Sequence, residues 1–282
     1  MGTRRLVGLF CASLLVLMVL PHAAGASARR RPLAREHEYA IPTPASRPYQ
    51  IVSGPDGNLW FTESDAGKIG RITTSGSITE FKVHPGSGPY GITAGPDGNL
   101  WFTERFNDVI AKMSTSGQLL AEYAVPTPDS QPWGITSGPD GALWFTEELA
   151  NQIGRMDTNG NVTYFTPPTA QLLYGITTAP DGLVWFTGLA GTNKVGRIDA
   201  NGNIAEFGVP ADNTGVAGVT VRPLGDVYFT ENDAGKVGQM TTAATPMHLF
   251  PGGSFPIGIT TGPDGNVWFA ISQSNAIGRI DP

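Results

Sequence analysis

Glutamates recur at one position of a repeated sequence, where they could bind a divalent cation. The tetrapeptide Leu-Trp-Phe-Thr is followed by a glutamate three times, at Glu63, Glu104 and Glu147. Carboxylate oxygens are the ligands that Mg²⁺ and Ca²⁺ prefer in proteins. If the three copies converge in space, these glutamates form a metal site. The alternative for each of them is an ordinary solvent-exposed loop carboxylate.

Aromatic residues occupy a second repeated position, early in the first predicted strand of each copy. Four of the six copies have an aromatic residue there: Tyr49, Tyr90, Trp133 and Tyr174. The last two copies have Ala217 and Ile257 instead. Rings at a concave surface stack on ring-bearing ligands, and Arg105 adds a positive charge directly after Glu104. These four aromatic residues and Arg105 are therefore predicted to bind a ligand.

One histidine, His84, lies in the loop that enters the second copy, near both of these positions. An imidazole titrates near neutral pH and can act as a general base. His84 is therefore the candidate catalytic residue, with a solvated loop histidine as the alternative. The Gly-x-Ser-x-Gly motif of a serine hydrolase is missing from the sequence.

The elements that must position these residues are strands of an internal repeat. An aromatic marker returns every 40 to 43 residues, at Trp60, Trp101, Trp144, Trp185, Tyr228 and Trp268. A full copy divides into four short strands, and in five of the six copies a Pro-Asp-Gly turn, which suits a hairpin, joins the first two. Repeats of this length predict an all-β, six-bladed β-propeller with four-stranded blades. The loops that enter the first strand and leave the second then meet at one mouth of the channel.

The sequence also predicts how the ring closes. The sixth copy reaches only its third strand, at Ile280. Near the start of the chain, the segment 38–42 matches the fourth-strand pattern of 122–126. We therefore expect this N-terminal strand to complete the last blade and remove an open sheet edge.

The first 28 residues have the features of a secretory signal peptide. Arg4 and Arg5 precede an apolar run of 15 residues, and Ala26-Ser27-Ala28 forms a cleavage pattern. A membrane span needs about 20 apolar residues. We divide the chain into a signal peptide (1–28), a basic linker (29–35) and the propeller (36–282), and we expect a secreted protein without a membrane span in the mature chain.

Charge and cysteine usage narrow the function classes further. The formal net charge is −6 and no basic stripe is present, so nucleic acid is not an expected partner. The only cysteine, Cys11, lies in the signal segment, so the mature chain has no disulfide. We expect a monomer whose partner is a small molecule or a peptide at the channel mouth.

The repeat resembles that of a known family. The pattern Gly-Ile-Thr-x-Gly-Pro-Asp-Gly-x-Leu-Trp-Phe-Thr-Glu, followed by Ile-Gly-Arg-Ile and Ile-Thr-Glu-Phe, is similar to the streptogramin B lyase (virginiamycin B lyase) family. The resemblance implies a β-propeller. It also implies that active relatives linearise cyclic depsipeptide antibiotics by metal-assisted elimination, using magnesium, histidines and glutamates at the channel mouth.

This sequence departs from that pattern where the family has its chemistry. The lyases have seven repeats and this chain has six. The family's catalytic histidines fall at positions that are Ala217 and Ile257 here, and the last repeat reads Phe-Ala-Ile-Ser-Gln over 269–273, without a carboxylate. The leading hypothesis is a lyase-like propeller that binds a ligand and lacks the catalytic histidines. The alternatives are an active magnesium-dependent lyase or related enzyme, and a structural scaffold.

Overall fold

The computed structural model describes residues 39–189, 193–209, 215–241, 248–262, 265–274 and 276–281. These residues form 23 strands and one 3₁₀ turn, Ser272–Ser274. The predicted signal peptide and basic linker lie outside this part of the chain. No helix in these ranges is long and apolar enough to cross a membrane.

The strands follow one another in chain order as consecutive antiparallel sheets. Blade 1 contains β1 (Pro48–Ser53), β2 (Leu59–Glu63), β3 (Lys68–Ile72) and β4 (Ile78–Lys82). Blade 2 contains β5 (Pro89–Ala94), β6 (Leu100–Glu104), β7 (Val109–Met113) and β8 (Leu119–Ala124). Blade 3 contains β9 (Pro132–Ser137), β10 (Leu143–Glu147), β11 (Gln152–Met156) and β12 (Val162–Phe165).

The second half repeats the arrangement. Blade 4 contains β13 (Leu173–Thr178), β14 (Val184–Gly188), β15 (Lys194–Ile198) and β16 (Ile204–Gly208). Blade 5 contains β17 (Val216–Val221), β18 (Asp226–Glu231), β19 (Lys236–Thr241) and β20 (His248–Pro251). Blade 6 contains β21 (Pro256–Thr261), β22 (Val267–Ile271) and β23 (Ala276–Ile280). The all-β, six-bladed propeller is thus confirmed.

The marker tryptophan stabilises its own blade and packs against the next one. In blade 1, the Asp56 carboxylate accepts a hydrogen bond from the Trp60 indole at 3.0 Å, which fixes the Pro-Asp-Gly turn. The Trp60 ring stacks on Phe81 of the outermost strand at 5.4 Å. Trp60 also shares a buried apolar cluster with Ile92 and Phe102 of blade 2. The core therefore lies between blades rather than inside any one sheet.

A threonine of the second strand ties each of the first five blades to the next. Its hydroxyl donates to a first-strand carbonyl of the following blade at 2.5 to 2.9 Å. The pairs are Thr62 with Tyr90, Thr103 with Trp133, Thr146 with Tyr174, Thr187 with Ala217, and Thr230 with Ile257. Blade 6 has Ala270 at this position, so it has no hydroxyl with which to make a sixth tie.

The N-terminal segment differs from its prediction. Among the described residues, the sheet of blade 6 has three strands, and residues 39–42 form no strand beside β23. Tyr39 instead lies over Gly76 of blade 1, just as Phe81 of blade 1 lies over Gly117 of blade 2. Its described residues, 39–42, thus keep the side-chain contact of a fourth strand with the following blade, but they do not pair with β23.

Candidate ligand site at the channel mouth

Strand register brings the two repeated positions of interest to the same end of each blade. Pro48 pairs with Glu63 in blade 1, and Pro89 pairs with Glu104 in blade 2. The Pro-Asp-Gly turn lies at the opposite end. Each first strand also has a β-bulge after its first residue, which is a proline in four of the six blades, and the bulge shifts the register directly beside the repeated aromatic position.

The four predicted aromatic residues form one continuous cluster. Ring centroids are 4.4 Å apart for Tyr49 and Tyr90, 4.6 Å for Tyr90 and Trp133, and 4.2 Å for Trp133 and Tyr174. Tyr49 also meets Trp133 edge-on at 5.5 Å. These distances lie near or within the range of favourable aromatic pairs. Consecutive blades therefore build an aromatic wall out of residues that are about 42 positions apart.

The members of this wall are not equally accessible. Tyr49 is 37% exposed, whereas Tyr90 is 2% exposed and lies beneath its neighbours. Arg105 lies over the Trp133 ring at 4.3 Å and pairs with Glu148 at 2.6 Å. Tyr90 and Arg105 thus support the wall, and Tyr49, Trp133 and Tyr174 are the members that line the channel.

The channel next to this wall is a cavity of about 320 Å³. Its described lining contains no carboxylate, imidazole or amine. The lining residues are Pro48, Tyr49, Gln50, Trp133, Gly134, Ile135, Tyr174, Gly175, Ile176, Ala217, Gly218, Val219, Ile257, Gly258, Ile259 and Ala270. Burial, with the Glu148 carboxylate close by, raises the pKa of Tyr174 to about 12, so this phenol stays neutral at physiological pH. The described lining can stack rings and form hydrogen bonds, but it supplies no base.

The structure does not bring Glu63, Glu104 and Glu147 together. All three are fully buried, each at the end of its own second strand. Glu147 accepts a hydrogen bond from Tyr164 of the same blade at 3.0 Å, and burial raises its pKa to about 7. Burial likewise raises the pKa of Glu63 to about 7. In the described part of the chain, the three glutamates lie in separate blades and do not form one metal site.

His84 lies away from the channel. Its Nδ1 is 2.8 Å from a carboxylate oxygen of Glu122, which belongs to β8, the outermost strand of blade 2. The imidazole is therefore at the periphery and does not touch the aromatic wall. A general base must reach the proton that it removes, so His84 does not fit that role for a ligand in the channel.

Glu148 and Glu122 hold predicted site residues in place but were not themselves among the predicted site residues. Glu148 fixes Arg105 and accepts a hydrogen bond from the Tyr174 hydroxyl at 3.2 Å. Glu122 holds His84. Glu148 could have been found from its position directly after Glu147, but the contact of Glu122 depends on how the loop before blade 2 folds back.

Comparisons with known proteins agree with this geometry. The sequence profile of the virginiamycin B lyase family matches residues 17–244. The chain belongs to this family. The crystal structure of a catalytically inactive virginiamycin B lyase from Staphylococcus aureus with quinupristin is 38% identical to it, with a TM-score of 0.80. That alignment covers 86% of this chain and 83% of the other.

Other members of the virginiamycin B lyase family show the same relationship. A streptogramin B lyase structure is 37% identical, with a TM-score of 0.81, over 88% of this chain and 83% of the other. The virginiamycin B lyase of Saccharopolyspora erythraea is 47% identical over 49 residues, which are 17% of this chain and 16% of that protein. This chain therefore matches only about a sixth of that curated relative's length.

The magnesium implied by the virginiamycin B lyase family does not fit the residues found here. At the family's histidine positions, Ala217 and Ile257 offer only alkyl side chains to the channel. In blade 6, the stretch 269–273 contains Ser272 and Gln273 but no carboxylate. Mg²⁺ is usually held through carboxylates, and these positions provide none.

Proposed function

We propose that this family member binds a ring-bearing ligand at the channel mouth and does not cleave it. The ligand class is that of the cyclic depsipeptides associated with its relatives, such as quinupristin in the Staphylococcus aureus structure. A ring of the ligand would stack on Tyr49, Trp133 and Tyr174. The proposal rests on the 37–38% identity to those lyases together with the aromatic wall.

One observation favours binding over catalysis. The described lining of the channel includes an aromatic wall but no carboxylate or imidazole. Binding by stacking and burial of apolar surface requires only the aromatic wall. An elimination requires a base within hydrogen-bond reach of the substrate proton. The residues at hand therefore support recognition of a ring and do not supply the proton acceptor.

Calorimetric titration of the mature chain with quinupristin tests the proposal. We expect saturable binding to the wild type. Replacing Trp133 with alanine should weaken it by at least about tenfold, because a stacked aromatic pair contributes about 0.5–1.5 kcal/mol beyond the apolar area it buries. Leu120→Ala is the matched control, since Leu120 is 45% exposed on the outermost strand of blade 2, away from the channel. Unchanged affinity in Trp133→Ala would refute the proposed site.

The second candidate function is an active lyase, which the family membership favours. Chromatography of the same mixtures, with and without Mg²⁺, distinguishes the two functions. Recovery of the cyclic compound only, from a protein that binds it, supports recognition without cleavage. Accumulation of a linear product would replace our proposal with the lyase function.

We further propose that the protein is exported after cleavage of residues 1–28. The support is the charged start, the short apolar run and the Ala-Ser-Ala pattern. Sequencing the N-terminus of protein recovered from the medium of an expressing culture should give Arg29 as the first residue. Recovery of the intact chain from the membrane fraction would contradict this.

A further inference from the structure

In blade 1, a threonine and a lysine hold the partly buried carboxylate of Glu80, which lies near the buried Glu63. Glu80 of β4 accepts two hydrogen bonds from Thr43, from the backbone N–H and the side-chain hydroxyl, both at 2.9 Å. The ammonium of Lys68 lies 2.8 Å from the same carboxylate. Lys68 is also the residue that pairs with Glu63 across β2 and β3. Lys68 thus forms an ion pair with Glu80 and lies opposite Glu63 in the strand register, while both Glu63 carboxylate oxygens lack a hydrogen-bond partner.

Blade 2 keeps the two carboxylates and replaces both of their partners. Glu104 and Glu122 stand where blade 1 has Glu63 and Glu80. The position of Lys68 is taken by Val109, which pairs with Glu104 and carries no charge. The loop position of Thr43, five residues before the proline that opens the first strand, is taken by His84.

His84 and the two retained glutamates form a compact set of ligand atoms. His84 Nδ1 is 2.8 Å from Glu122 Oε1 and 4.0 Å from Glu104 Oε2. One ligand atom from each of the three side chains lies within 4.8 Å of the others. Glu104 is fully buried; its Oε2 accepts a hydrogen bond from Asn107 at 3.2 Å, and its Oε1 has no hydrogen-bond partner. A buried carboxylate oxygen without a partner is costly, and no described lysine or arginine forms an ion pair with Glu104 or Glu122.

We propose that blade 2 binds a zinc ion between His84, Glu104 and Glu122. Imidazole nitrogens and carboxylate oxygens are zinc ligands, and zinc sites with three protein ligands leave the fourth position to water or another small ligand. Mg²⁺ prefers an all-oxygen shell and is not expected here. His84 is half exposed, which leaves the remaining coordination position to water.

The ion would fasten the loop between blades 1 and 2 to the outer part of blade 2. It does so because His84 lies on that loop, Glu104 ends β6 and Glu122 lies on β8. The site does not share a residue with the lining of the channel. It is thus independent of the proposed ligand site and of the magnesium chemistry of the lyases.

The double variant His84→Thr with Val109→Lys tests the proposal, because it rebuilds the arrangement of blade 1 and should keep the fold. Calorimetry with zinc chloride at pH 7 should show one ion per wild-type chain. The double variant should bind at least about 100-fold more weakly, since even residues that only support metal ligands alter affinity 10- to 100-fold. Zinc chloride should raise the melting temperature of the wild type but not that of the double variant. Magnesium chloride should raise the melting temperature of neither protein.

His248→Thr is the matched control, because His248 is exposed on β20 of blade 5. This variant should bind zinc as the wild type does. Crystals soaked in zinc should show an anomalous peak between the three side chains. A wild type that binds no zinc, or a double variant that binds it equally well, would overturn the proposal.

Discussion

The hydroxyl of Thr146 makes two hydrogen bonds that valine, with the same shape, cannot make. It accepts a hydrogen bond from Gly134 N–H at 3.0 Å and donates to the Tyr174 carbonyl of blade 4 at 2.7 Å. Gly134 lies in the β-bulge of β9, where the register with β10 shifts and the sheet offers its N–H no partner. Replacing Thr146 with valine therefore leaves one donor and one acceptor without partners.

The expected cost follows from these two groups. An unsatisfied buried backbone group costs about 1–3 kcal/mol. Gly134 and Tyr174 are half buried, so water reaches them in part and the lower half of that range applies. We expect Thr146→Val to lower the free energy of unfolding by about 2–4 kcal/mol, of which the loss of the interblade bond is about half.

Urea unfolding followed by circular dichroism measures this loss as a lower midpoint at unchanged slope. Thr163→Val is the matched control, because Thr163 is exposed on the outermost strand of the same blade, and it should stay within about 0.5 kcal/mol of the wild type. If Thr146→Val also stays within that margin, the tie between blades does not stabilise the ring. An equal loss in both variants would refute the reasoning as well.

Two further predictions concern close packing and buried charge. A Cβ at Gly91 would lie 2.5 Å from the Trp133 carbonyl oxygen, so Gly91→Ala should lower the free energy of unfolding in urea by about 1–3 kcal/mol. Gly258 has open space around it, so Gly258→Ala should leave this free energy unchanged. The pKa of Glu147 is raised to about 7, above its unfolded value of about 4.3, so the folded state holds an extra proton between these values. Stability should therefore fall as pH rises from about 4.5 to above 7, and Glu147→Gln should be more stable than the wild type at pH 8, by up to about 3 kcal/mol, but not at pH 4.5. A parallel pH dependence in both proteins would contradict the assignment to Glu147.

Much of the fold could be predicted from local signals that recur. The marker spacing of 40 to 43 residues, the Pro-Asp-Gly turns and the short apolar strands indicate a propeller because each acts within one blade. The aromatic position was likewise predictable, since strand register places it at the same end of every blade, but the burial of Tyr90 beneath its neighbours was not. Whether segment 38–42 pairs with β23 was not predictable, because that depends on how two distant parts of the ring meet.

The sequence by itself determined the blades, their number and the end of each blade that carries the aromatic position. Only the tertiary structure decided what each glutamate touches. Glu63, Glu104 and Glu147 occupy the same repeat position, yet their neighbours come from other strands and loops whose residues vary from blade to blade. A repeat specifies a residue's place within its blade, whereas the charge and hydrogen bonding around it depend on segments that the repeat does not fix. For that reason, three carboxylates at the same repeat position have three different sets of neighbours.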